Sequence, residues 1–217
     1  MKFDAVLFDC DGVLVDSEHI TNKVLRDMLD EAGWTMTLQE CMDTFVGRTV
    51  MDERVRIEQH TGKPLTEAWL VQFRERRNIV LEATIEAIPN IDATLTALFA
   101  ATGGRIACAS GADKFKVELM LQKVGLLHHL HGRIFSGQET PRNKPHPDVY
   151  LTAAAALGVD AKRCAVVEDT ITGLTAGVAA GATVFAYVPQ GSGQRFLDAG
   201  ASHVFTDMAQ LPALMGA

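Results

Sequence analysis

The chain has 217 residues, 47% hydrophobic and 22% charged, which suffices for one or two packed domains and excludes disordered or collagen-like compositions. A formal net charge of −7 argues against a general nucleic-acid or anionic-membrane binder, because like-signed surfaces repel. No apolar stretch approaches bilayer-spanning length and the first residues lack an apolar signal core, so a soluble, cytoplasmic protein is expected.

In chain order, the first apolar run, residues 5–8, predicts a strand that stops at Asp9. Cys10 follows; it and Cys41, Cys108 and Cys164 are widely scattered, form no CxxC pair, and are expected to be small reduced thiols. Residues 16–87 are charged, helical in period (most clearly 22–32 and 68–85) and poor in strand-like runs, which predicts an inserted helical cap domain. The flanking stretches, 1–15 and 88–217, would then form one core.

Within that core, residues 106–109 predict a strand ending at Ser110 and Gly111, and 121–135 an amphipathic passage from helix to loop. Residues 147–157, rich in alanine and closed by Gly158, predict a helix with a glycine C-cap. A strand at 165–167 would end in Glu168-Asp169, followed by a helix over 170–182. On that helix Gly173, Gly177 and Gly181 leave a smooth stripe for packing on a sheet. Further strands are expected at 183–188 and, at an edge, 203–205. Continuous apolar strands alternating with helices give an α/β fold, a Rossmann-like parallel sheet covered by helices. Ligands of such sheets bind beyond the carboxyl ends of the strands, where the polar residues ending these runs converge.

Three of those endings and one loop carry chemistry. Asp9 and Asp11, two residues apart with Gly12 behind them, can point into one crevice, one as nucleophile and the other moving a proton; the same residues also suit a polar turn. Ser110 and Gly111 offer a hydroxyl and a free amide to a phosphate oxygen, or merely punctuate a turn. Lys144, in a loop stiffened by Pro145 and Pro147, can hold an ammonium over an anion, or stand in solvent before a helix. Glu168 and Asp169, ending an apolar strand, need a cation or hydrogen bonds to offset their burial, or else form an acidic helix N-terminus. Oxygen-only ligands beside a phosphate point to Mg²⁺.

The order DxDGxLVDS, a strand ending in Ser, Lys-Pro, and a strand ending in Glu-Asp resembles the haloacid dehalogenase superfamily over nearly the whole chain. The branch it is similar to has a helical cap after the first motif and includes phosphoglycolate phosphatases and β-phosphoglucomutases. Val15-Asp16-Ser17-Glu18 and Leu126-Leu127-His128 resemble small bacterial sugar-phosphate phosphatases of the 6-phosphogluconate type.

The resemblance implies that Asp9 attacks phosphorus, that Asp11 protonates the leaving alcohol and then activates water, and that Ser110, Gly111 and Lys144 grip the phosphoryl group. Mg²⁺ would be held by Asp9, the Asp11 carbonyl and Asp169, with Glu168 direct or through water. The implied partner is a small-molecule phosphomonoester, with neither nucleic acid nor membrane; a monomer and a weak dimer are both consistent with the sequence.

Phosphomutases of the branch carry a histidine where this chain has Thr21, which weakens a β-phosphoglucomutase-like reading, although His19 is close by. Dehalogenases of the family lack the second aspartate of the first motif. Phosphoacceptor receiver domains use similar residues in the reverse order. Thr21, Arg48 and Thr49 are candidates for substrate selection in the cap, with a structural ion pair the alternative for Arg48. His128-His129-x-His131 has no carboxylate or cysteine nearby in sequence and is expected to be solvated or packed rather than metal-binding.

Overall fold

The computed structural model describes residues 2–217 and comprises two compact units, residues 2–15 with Ala87–Ala217 and, separately, Asp16–Glu86. In chain order the elements are β1 (Ala5–Phe8), α1 (Glu18–Ala32), α2 (Leu38–Phe45), α3 (Arg54–Thr61), α4 (Glu67–Thr84), α5 (Ile91–Ala101) and β2 (Ile106–Ser110). Then follow α6 (Lys114–Lys123), α7 (Leu127–Leu130), β3 (Ile134–Ser136), α8 (Asp148–Ala156), β4 (Cys164–Glu168) and α9 (Ile171–Ala179). The chain closes with β5 (Thr183–Tyr187), α10 (Gln194–Asp198), β6 (His203–Phe205) and α11 (Leu211–Met215).

The larger unit is a parallel sheet in the order β3-β2-β1-β4-β5-β6, the crossover topology expected of a Rossmann-like α/β fold. Its central strands are buried throughout because helices cover both faces, which is why they read as unbroken apolar runs rather than alternating ones. On one face Leu7, Ala107, Ala109 and Val166 pack with Val149, Tyr150 and Ala153 of α8 and Leu174 and Ala176 of α9. Strand β3, one edge of the sheet, lies where sequence reading placed a helix-to-loop passage.

Helix α9 lies close to the sheet because two glycines permit it. A methyl group at Gly177 would sit 2.9 Å from Val184 Cγ2 and 3.1 Å from Val166 Cγ1. Gly181, the third of the expected stripe, lies beyond the end of α9 with a left-handed φ of 81°, so it turns the chain rather than packing the helix. The glycine cap of α8 is as expected, with Gly158 at φ 69° and the Val159 amide reaching back to the Ala154 carbonyl.

The smaller unit is all helix. Val24, Leu25, Met28 and Leu29 of α1 pack with Cys41 and Phe45 of α2, Ile57 of α3, and Leu70 and Phe73 of α4. Thr37 and Glu40 form a reciprocal capping box at the start of α2, and Thr66 accepts the Trp69 amide at the start of α4. Among the described residues no helix is long and apolar enough to cross a membrane, and all four cysteines are free and buried.

Candidate active site

Four strand and loop ends of the larger unit carry the motif residues. β1 hands over to Asp9, whose amide still donates to the Val167 carbonyl, so the residue is fixed in the sheet although the strand has ended. The chain then curls: the amides of Val13, Leu14 and Val15 all reach the Cys10 carbonyl, and Gly12 turns at φ 75° while its amide bonds the Val15 carbonyl. A side chain at Gly12 would be strained by that φ and would overlap the Asp169 carboxylate. Glycine is therefore required there twice over, by the turn and by the close approach of a second acidic strand end.

Asp9 and Lys144 are joined directly. Lys144 Nζ is 2.6 Å from Asp9 Oδ1 and 2.7 Å from Glu168 Oε1, and it stands 4.7 Å from the centre of the Tyr150 ring. All three charged side chains are at least nine-tenths buried. Burial, reinforced by the charges of Glu168 and Asp11 and opposed by Lys144, raises the Asp9 carboxyl to about 7. Burial works to lower Lys144, but Asp9 and Glu168 outweigh it and hold its ammonium well above the ordinary lysine range.

Glu168 is fully buried and fully hydrogen-bonded. Its Oε1 accepts from Lys144 and from the Tyr150 hydroxyl (2.8 Å); its Oε2 accepts the amides of Asp169 and Thr170 (3.1 Å each) and the Thr170 hydroxyl (3.0 Å). Of the two means of offsetting burial expected from sequence, hydrogen bonds supply this one. Thr170 also caps α9 by accepting the Gly173 amide. A methyl at Gly173 would overlap the Glu168 carboxylate. Gly173→Ala is therefore expected to lower stability by about 1–3 kcal/mol through overpacking, read as a lower urea midpoint at unchanged m value.

Asp9, Glu168 and Asp169 each offer a carboxylate oxygen, and these oxygens lie within 4.8 Å of one another. An all-oxygen, multiply anionic group of this size fits a hard divalent cation. Ser110, almost fully buried at the end of β2, accepts the Ala112 amide at 3.0 Å, and the Gly111 carbonyl accepts from the Asn143 side chain at 2.9 Å. Asn143 in turn accepts the Lys144 amide (2.8 Å), tying the Ser110-Gly111 turn to the loop that carries the lysine; Lys144-Pro145 is a cis peptide.

Sequence reasoning missed several residues. Lys116 of α6, nearly buried, places its Nζ 2.5 Å from Asp11 Oδ1. Tyr150, Asn143 and Thr170 were likewise not singled out, although the capping position of Thr170, directly after Glu168-Asp169 and before a helical pattern, was a usable signal. Cys10, between the two aspartates, is buried; its thiol bonds that of Cys108, which with burial raises it well above the ordinary range.

The three cap candidates belong to the helical unit. Thr21 Oγ1 is buried with no hydrogen-bond partner among the described residues. Arg48 forms an ion pair with Glu53, which also pairs with Arg56 at 3.2 Å, and the Thr49 amide donates to Asp52 at 2.7 Å.

The family model of haloacid dehalogenase-like hydrolases matches residues 3–181. The chain is 30% identical over 215 residues to 6-phosphogluconate phosphatase of Escherichia coli (strain K12), covering 98% of this chain and 95% of that one. Among solved structures, a haloacid dehalogenase family hydrolase from Deinococcus radiodurans R1 with bound phosphate and sodium superposes with a TM-score of 0.80 at 35% identity, covering 99% and 96% of the two chains. A conserved haloacid dehalogenase-like protein from Agrobacterium tumefaciens gives a TM-score of 0.83 at 32% identity, covering 99% and 98%. With the family match spanning most of its length and a phosphatase similar to it from end to end, the chain belongs to the haloacid dehalogenase-like hydrolases and is a phosphatase of that family.

Proposed function

We propose that the protein is a Mg²⁺-dependent phosphomonoester hydrolase that acts on a small sugar or sugar-acid phosphate through an aspartyl-phosphate at Asp9. The observation that carries this reading is the buried Asp9 carboxylate, held at 2.6 Å by Lys144 at the end of the first strand and grouped with Asp169. An oxygen of Asp9 forms a bond to phosphorus as the bond from phosphorus to the alcohol oxygen breaks, and Asp11 gives that oxygen its proton. Asp11 then takes a proton from water, which attacks phosphorus and frees inorganic phosphate and Asp9. Ser110, the Gly111 amide and Lys144 hold the phosphoryl oxygens, and Lys116 fixes Asp11 Oδ1.

When held by Asp9, the Asp11 carbonyl and Asp169, Mg²⁺ supplies positive charge against the phosphoryl group and the attacking carboxylate. Glu168, with both oxygens engaged, supports the site from behind by fixing Lys144. The sugar-acid substrate class is supported by the 6-phosphogluconate phosphatase relative. Thr21, Arg48 and Thr49 are the helical unit's candidates for choosing among such substrates. Four buried free thiols support a reducing, cytoplasmic setting.

The test is phosphate release from a panel holding 6-phosphogluconate, phosphoglycolate, hexose phosphates and β-glucose 1-phosphate. Chelation of Mg²⁺ is expected to lower release from the best substrate by at least about 100-fold, and added Mg²⁺ to restore it. Release unchanged by chelation would remove the metal from the reading. Conversion of β-glucose 1-phosphate to an isomer without release would favour a phosphomutase.

A further inference from the structure

Helix α7 carries His128 and His129 side by side, and α5 brings up Asp92 from 37 residues earlier, the carboxylate that the local sequence lacks. His129 Nε2 lies 2.8 Å from Asp92 Oδ1. His128 Nδ1 lies 2.8 Å from the Gly125 carbonyl oxygen. A carbonyl only accepts, so Nδ1 bears the proton and the neutral ring keeps its lone pair on Nε2. Imidazoles that ligate metals are commonly anchored in this way, their other nitrogen donating to a backbone carbonyl or a carboxylate.

One ligand atom from each of Asp92, His128 and His129 lies within 4.8 Å of the other two, with the two rings 3.8 Å apart and tilted by 39°. His129 is 8% exposed and anchors the group, while Asp92 and His128 leave it open to solvent. The Arg133 guanidinium is occupied otherwise, donating to the His129 carbonyl at 2.7 Å and lying over the Phe99 ring.

We propose that Asp92, His128 and His129 form a binding site for a divalent transition ion of the Zn²⁺ class. Two imidazoles and a carboxylate are the borderline donors that such ions prefer, whereas the strand-end group of carboxylates suits Mg²⁺. Three protein ligands leave a fourth position for water. The two groups share no residue, so this site stands whether or not the proposed reaction does. A bound ion ties α5 to α7 beyond what the His129–Asp92 pair alone provides.

The test is calorimetric titration of the full chain with Zn²⁺ in excess Mg²⁺, which competes for the strand-end carboxylates. One equivalent is expected to bind to wild type and to Asp169→Asn alike. In His128→Gln and Asp92→Asn, both exposed positions where the fold tolerates the change, affinity is expected to fall at least about 10-fold. The thermal midpoint should rise with Zn²⁺ in wild type and not in these two variants. No Zn²⁺ bound by wild type in excess Mg²⁺, or equal affinity in either variant, would overturn the site and leave only a histidine–aspartate ion pair.

Discussion

Asp9→Asn is expected to lower kcat by about 10³-fold or more while leaving the protein folded and no less stable in Mg²⁺-free buffer. The rate effect follows from nucleophilicity: an amide of nearly the same shape cannot form the acyl-phosphate bond. The stability effect follows from burial. Asp9 is a carboxylate that its surroundings raise to about 7, because burial and the neighbouring acids together outweigh Lys144. Removing that charge leaves Lys144 facing Glu168 alone, a balanced pair at 2.7 Å. A catalytic group held at the expense of the fold leaves this signature, and a thermal melt beside a turnover assay reads both halves.

Lys144→Met should show the opposite balance. Methionine fills similar volume without the ammonium, so two buried carboxylates, Asp9 and Glu168, lose their shared counter-ion. Stripping one partner from a buried ion pair costs about 3–5 kcal/mol. The loss depends on pH in a definite sense. The Asp9 carboxyl, raised in the folded state, binds its proton more tightly there than in the unfolded chain, so stability falls as pH rises above its unfolded value of 3.8. The deficit is therefore expected to be small in acid, to open as pH passes about 7, the wild-type Asp9 value, and to grow above it, since without Lys144 its carboxyl rises further. Urea unfolding of the variant and wild type across that range measures it. With Glu168 left facing Asp9 without the ammonium, kcat should also fall by about 10²–10³-fold.

The contrast between these variants explains which parts of the site were legible in the sequence. Asp9, Ser110 and Glu168 each end an apolar run, so the strand that makes them visible also delivers them to the carboxyl end of the sheet. Lys144 was legible through the prolines around it and through its order among the other motifs. Lys116 was not: a lysine in the first turn of a helix is ordinarily solvated, and only the packing of α6 brings its ammonium to Asp11. Tyr150 lies in the first turn of α8 and reads as core until the structure places its hydroxyl on Glu168.

The same physics divides the fold. Strands β1, β2, β4, β5 and β6 were readable because burial on two faces leaves continuous apolar runs or a clear edge segment. β3, no shorter than β6, directly follows the short helix α7 and was read together with it as one helix-to-loop passage. In the helical unit, α1 and α4 are long enough for their period to show, whereas α2 and α3, at eight residues each, are not. Asp92 illustrates what no local pattern holds. Its partner His129 lies 37 residues away, and only the packing of α5 beside α7 joins them.

The central claim is that Asp9 carries the phosphoryl group, and the most direct measurement is an acid quench during turnover of a radiolabelled phosphomonoester. The account predicts label on the wild-type protein that maps to the peptide containing Asp9, and none on Asp9→Asn, which also fails to release phosphate. Turnover of Asp9→Asn at the wild-type rate, or label mapping to another residue, would contradict it.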